Sequence, residues 1–122
     1  MKTRIIVDST ADLLPEFKER VQVVPLTVHF GDQEYIDGVT IDHKTFYEKL
    51  VETDVLPSTS QATPAAFAEQ YEAAKQAGEA VVVITLSSKL SGTYQSAGSH
   101  LRITKTFISW IVALQQLAVV FW

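Results

Sequence analysis

Cysteine is absent from the 122 residues. Disulfides and thiolate metal ligands are thereby excluded, and any site must be built from oxygen and nitrogen groups. Long apolar runs are scarce too. Ile5, Ile6 and Val7 give way to Asp8, too short a run for the apolar core of a signal peptide, so the sequence reads as cytoplasmic. Residues 107–122 carry no charge but include Gln115 and Gln116. A membrane helix needs about twenty apolar residues, so a buried helix or strand is expected there, with membrane contact at most transient. His29, His43 and His100 show neither HxxxH nor HExxH spacing, and no metal site is expected. There is no GxSxG elbow, Walker A loop or GxGxxG turn. The formal net charge is -4 and the basic residues are scattered, so no stripe exists for a nucleic-acid backbone. No cofactor is implied.

What is present suits one globular domain, with 47% hydrophobic and 20% charged residues. The β-branched run Ile5–Val7 predicts a buried parallel strand. Leu13 to Arg20 predicts a short helix, capped by Asp12 or a nearby residue and with Pro15 in the first turn. Residues 21–30 form a second β-rich stretch in which Pro25 favours an edge, a bend or a bulge. Gly31 and Asp32 predict a turn, with Gln33 to Ile36 returning as a hairpin arm that Tyr35 and Asp37 help shape. Asp42 caps a helix whose apolar face would carry Phe46, Tyr47, Leu50 and Val51. Residues 56–61 read as a polar loop. Thr63 and Pro64 open a helix that buries Phe67, Tyr71 and Ala74 and stops at Gly78. Ala80 to Leu86 is the clearest buried strand, and a last helix begins at Thr93. The order predicts an α/β fold with a mostly parallel sheet and helices on both faces.

Three polar clusters follow strands or precede helices: Asp8-Ser9-Thr10, Ser58-Thr59-Ser60-Gln61, and Ser87-Ser88 with Ser91-Gly92-Thr93. Ligands of open parallel sheets bind at the carboxyl ends of the strands. Helix N-termini there favour an anion, hydroxyls add neutral donors, and Gly92 permits close backbone approach. Such residues are equally ordinary caps and turns, and residue types alone leave both readings open.

The clusters also fit a known pattern. Ile6 to Leu13 (Ile-Val-Asp-Ser-Thr-Ala-Asp-Leu) resembles the opening of DegV family proteins. Val24 to Val28 (Val-Pro-Leu-Thr-Val), followed by Tyr35, Ile36 and Asp37, is similar to the family's next segment. Thr59-Ser60-Gln61 with Pro64 resembles its Thr-Ser-Gln loop, and Leu90 to Ala97 (Leu-Ser-Gly-Thr-Tyr-Gln-Ser-Ala) its most specific motif. The resemblance implies a protein that holds a long-chain fatty acid between two α/β domains. In some members it is presented to an ATP-dependent kinase subunit that makes an acyl phosphate. It implies that Thr59 and Ser91 bind the carboxylate, that Gly92 adds its N–H, and that Ser60, Ser9 and Asp8 are neighbours. It implies a non-catalytic carrier. The rival expectation is a hydrolase or transferase acting on a small anionic substrate, with Ser91 as nucleophile and Asp8 near it.

Beyond Ala97 the resemblance ends. The family continues into a strand ending in Asp-Ser and then a C-terminal domain, which Leu101 to Trp122 do not resemble. The sequence therefore divides into a DegV-like N-terminal domain, 1–99, and an atypical hydrophobic tail, 100–122, through which a homo-oligomer could form.

Overall fold

The computed structural model describes residues 2–11, 13–86 and 89–99, and the backbone of 109–114. Along the chain run β1 (Thr3–Asp8), a single 3-10 turn (Pro15–Phe17), β2 (Val21–Val24), β3 (Thr27–Phe30) and β4 (Gln33–Ile36). Then come α1 (His43–Glu52), β5 (Ser58–Ser60), α2 (Pro64–Ala77), β6 (Ala80–Leu86), α3 (Thr93–Gly98) and β7 (Ser109–Leu114). Four strands form a parallel sheet in the order β2-β1-β6-β7, and three form a second sheet in the order β4-β3-β5, whose pairs are antiparallel. The fold is α/β with a parallel sheet, as expected.

The parallel sheet is built from β-branched runs whose alternate residues are buried. Ile6 from β1 and Val81 and Val83 from β6 meet Phe67, Tyr71 and Ala74 of α2 and Ala97 of α3 in one core. Both helices therefore cover one face of this sheet, so among the described residues the expected helices on both faces are not found, while α1 packs against the antiparallel sheet through Phe46 and Phe30. Thr63 caps α2 by accepting from the Ala66 N–H, and Gly78 closes it in the left-handed conformation that glycine adopts without a Cβ clash. Burial raises the pKa of Tyr71, and its hydroxyl donates to the Ala97 carbonyl at 2.6 Å, tying α2 to α3.

Four local expectations change. The helix expected over 13–20 shrinks to the 3-10 turn, which buries none of its residues; an amphipathic helix needs a surface to cover. The stretch 21–30 divides between the two sheets, and the break falls at Pro25, which has no N–H for a ladder. On α1, Phe46 packs inward, whereas Val51 is 86% exposed and Tyr47 48%, so the four-residue apolar face is not a buried stripe. The polar loop of 58–60 is instead β5, an edge strand hydrogen-bonded to β3.

Asp12, Ser87, Ser88 and His100 lie outside the described residues. So does most of the segment after 99, except that β7 pairs in parallel with β6 over Val81–Leu86. Part of the expected tail thus belongs to the main sheet. Among the described residues, no helix is long and apolar enough to cross a membrane.

Candidate functional site

The carboxyl ends of β1 and β6 open onto a cavity of about 590 Å³, within the range of small-ligand pockets. The parallel sheet contributes Ser9, Thr10 and Leu86, and the antiparallel sheet contributes Val28 and Thr59. The turn before α3 brings Leu90, Ser91 and Gly92, and α1 adds His43, Phe46 and Tyr47. The lining therefore combines hydroxyls with aliphatic and aromatic side chains.

Asp8 organises the sheet end beneath the cavity. It is 1% exposed. One carboxylate oxygen accepts the Thr10 N–H at 2.9 Å and the Thr10 hydroxyl. The other accepts the Leu86 N–H at 2.7 Å, joining the ends of β1 and β6. Ser9 sits one residue on. Its N–H donates to the Val24 carbonyl, and its Oγ accepts the Leu26 N–H at 2.9 Å. It thus clasps the crossover at Pro25, where the chain passes between the sheets.

Thr59 and Ser60 are adjacent on β5, and strand alternation sends them to opposite faces. Thr59 pairs with Val28, and both line the cavity. Ser60 pairs with Thr27, and its Oγ lies 2.6 Å from His29 Nε2. Ser60, expected at the carboxylate, is therefore absent from the cavity wall. Ser9, Thr59, Ser91 and Gly92 are brought together there.

Ser91 Oγ accepts the Thr93 N–H at 3.2 Å and lies 3.0 Å from Thr93 Oγ1. Thr93 Oγ1 in turn accepts the Ala62 N–H at 3.3 Å. Beside this chain, Gln61 donates to Ser96 Oγ at 3.1 Å. Its amide occupies the space that a side chain on Gly92 would need: a Cβ there would overlap Gln61 Oε1. The segment after β5 is thus latched to α3 just beyond Ser91, which places Thr59 and Ser91 on one cavity. With only six residues, α3 is too short to make its dipole the leading attraction. The hydroxyls carry the polarity.

The residues alone do not mark His43, Asp37, Phe46 or Tyr47 as members of the site, yet they also line the cavity. They arrive through the packing of α1 and the hairpin, and no local motif announces that. Gln61 is within reach of the sequence, because it stands in the Thr-Ser-Gln motif. For the rival expectation, the arrangement is unfavourable. The hydrogen bonds of Ser91 run to Thr93, while both Asp8 oxygens are occupied by Thr10 and Leu86.

Residues 2–104 match the family described as uncharacterised proteins of the DegV family. A DegV domain-containing protein of Halalkalibacterium halodurans is 48% identical over 99 residues, covering 79% of this chain and 35% of the relative. Another from Clostridium perfringens is 42% identical over 98 residues, with the same coverage. Among solved structures, a stearic acid-binding protein from Eubacterium ventriosum superposes with a TM-score of 0.81 at 30% identity, over 92% of this chain and 41% of that one. A DegV family protein from Thermus thermophilus, described for its fatty acid binding, gives 0.80 at 32%, over 93% and 41%. The chain spans about a third of the length of these curated relatives. Sequence motifs, fold and family match agree: this chain belongs to the DegV family.

Proposed function

We propose that this chain binds a long-chain fatty acid, with the carboxylate at Ser9, Thr59, Ser91 and the Gly92 N–H. The observation that carries the reading is the cavity itself, where hydroxyl residues from three distant segments line one space together with aliphatic and aromatic side chains. Related proteins with the same fold are described as fatty-acid-binding.

The energetics divide the work. Hydrogen bonds to a charged group contribute about 1.5–3 kcal/mol each. Each buried methylene adds about 0.8 kcal/mol before ordering costs. A long acyl chain therefore supplies most of the affinity, and the hydroxyls decide which end is presented. A set of neutral donors also leaves the carboxylate reactive, whereas an arginine clamp would hold its charge back. That suits a non-catalytic carrier handing its cargo to an ATP-dependent kinase subunit for acyl phosphate formation. We place such a carrier in the cytoplasm.

The test is lipid extraction and mass spectrometry of the protein purified from bacteria, followed by titration of the stripped protein with palmitate. Thr59→Ala and Ser91→Ala are each expected to weaken palmitate binding by about tenfold or more, the loss of one charge-assisted hydrogen bond, with circular dichroism unchanged. Undiminished binding by both variants would remove these residues from the site.

A further inference from the structure

We propose that Thr93 is a positioning residue that fixes the direction of the Ser91 hydroxyl, making Ser91 a dedicated donor and the site selective for ionised carboxylates over alcohols. This rests on the carboxylate reading above.

A hydroxyl has one proton and two lone pairs. Thr93 is fully buried at 0% exposure, and its Oγ1 accepts the Ala62 N–H. Its neighbour is Ser91 Oγ, 3.0 Å away, and either oxygen could be the donor. If Ser91 gave its proton to Thr93, the Thr93 proton would have no acceptor among the described hydrogen bonds. A buried donor left unpaired is what folded proteins avoid. The satisfied arrangement has Thr93 donating to Ser91. Ser91 Oγ already accepts the Thr93 N–H at 3.2 Å, so both its lone pairs are then engaged. Its own proton is left to point at a ligand in the cavity that it lines.

Ser9, with one lone pair engaged, also lines the cavity. Its Oγ accepts the Leu26 N–H, which likewise leaves its proton available. A headgroup facing Ser91 must accept its hydrogen bond. An ionised carboxylate does only that, whereas an alcohol brings a proton of its own that Ser91 has no lone pair to receive. Thr93 touches no ligand, since it is buried behind Ser91. It acts by ordering the proton.

The experiment compares palmitate with hexadecanol, measuring affinity for the wild-type chain, Thr93→Val and Thr93→Ser. Valine keeps the shape and removes the hydroxyl; serine restores it. In Thr93→Val the palmitate-to-hexadecanol affinity ratio is expected to fall about tenfold, the worth of one oriented charge-assisted bond. In Thr93→Ser it should stay near the wild-type value. A folded Thr93→Val with an unchanged ratio overturns the proposal. Should valine fail to fold, Thr93→Ser still decides: a ratio that collapses to the level of Ser91→Ala would show that the hydroxyl is not what matters. A wild-type chain that binds no palmitate overturns the carboxylate reading itself, a result distinct from either of these.

Discussion

Gly92 and Gln61 share a space that holds only one side chain. The demand for glycine is steric, because the backbone of Gly92 lies at a φ of -74°, where any residue is at ease. What excludes a larger residue is Gln61, whose Oε1 would overlap an added Cβ and whose Cδ would stand 2.7 Å from it. Gln61 cannot swing away without leaving Ser96. Gly92→Ala is therefore expected to destabilise the chain by about 1–3 kcal/mol, the usual cost of overpacking. It should also weaken palmitate binding by shifting Ser91. Thermal denaturation and titration check both effects. The double change Gly92→Ala with Gln61→Ala should recover part of the lost stability, since it empties the contested space. If the double variant were no better than the single one, the crowding would lie elsewhere.

Among the elements, α2 and α3 depend on one polar contact as well as on their apolar core. Tyr71 donates to the Ala97 carbonyl at 2.6 Å, and burial raises the pKa of its phenol above the ordinary 10.0. The neutral phenol is the form that folding favours. Its contribution is whole below pH 10.0 and is lost as the pH rises further, because the unfolded chain ionises first. Tyr71→Phe should cost about 0.5–1.5 kcal/mol near neutrality, the usual net worth of one hydrogen bond. The gap to the wild type should narrow in urea titrations above pH 10.0.

These elements also show what the residues declare about themselves. The run at β6, the Thr63-Pro64 start of α2 and its Gly78 stop are local statements, and they are found where the pattern puts them. The hairpin of β3 and β4 is likewise legible in Gly31 and Asp32. By contrast, β5 is three hydroxyl residues that become a strand only because β3 offers its edge. No periodicity in Ser58, Thr59 and Ser60 could reveal that, nor which of the last two faces the cavity. The same limit holds at α1, where Val51 has the spacing of a core residue and lies in solvent. Resemblance to the DegV pattern supplies Thr59 and Ser91 as a pair. The pairing of β5 with β3 adds the physical reason, sending Thr59 and Ser60 to opposite faces.

At the scale of the whole molecule, the candidate site has no existence in any one segment. Ser9 follows β1, Thr59 comes from the second sheet, and Ser91 precedes α3. Unfolding scatters them, so a ligand that needs all three binds the folded form alone. Palmitate at about a hundred times its dissociation constant should then stabilise the chain by about 2.7 kcal/mol. Differential scanning fluorimetry with and without palmitate checks this. A melting temperature indifferent to palmitate would mean that the three segments do not act as one seat.

The sheet order adds a constraint on how the protein comes into being. β1 lies between β2 and β6, so synthesis delivers one neighbour at once and the other only when the chain has reached Leu86. Until then an edge of β1 is bare, and Asp8 waits for the Leu86 amide that completes its hydrogen bonds. Such distant pairing is slow to form and leaves an open strand edge in the meantime. The nascent chain thus carries Ser9 long before the other segments of the candidate site exist, and the proposed fatty acid would find no seat until β6 and the turn at Ser91 have left the ribosome.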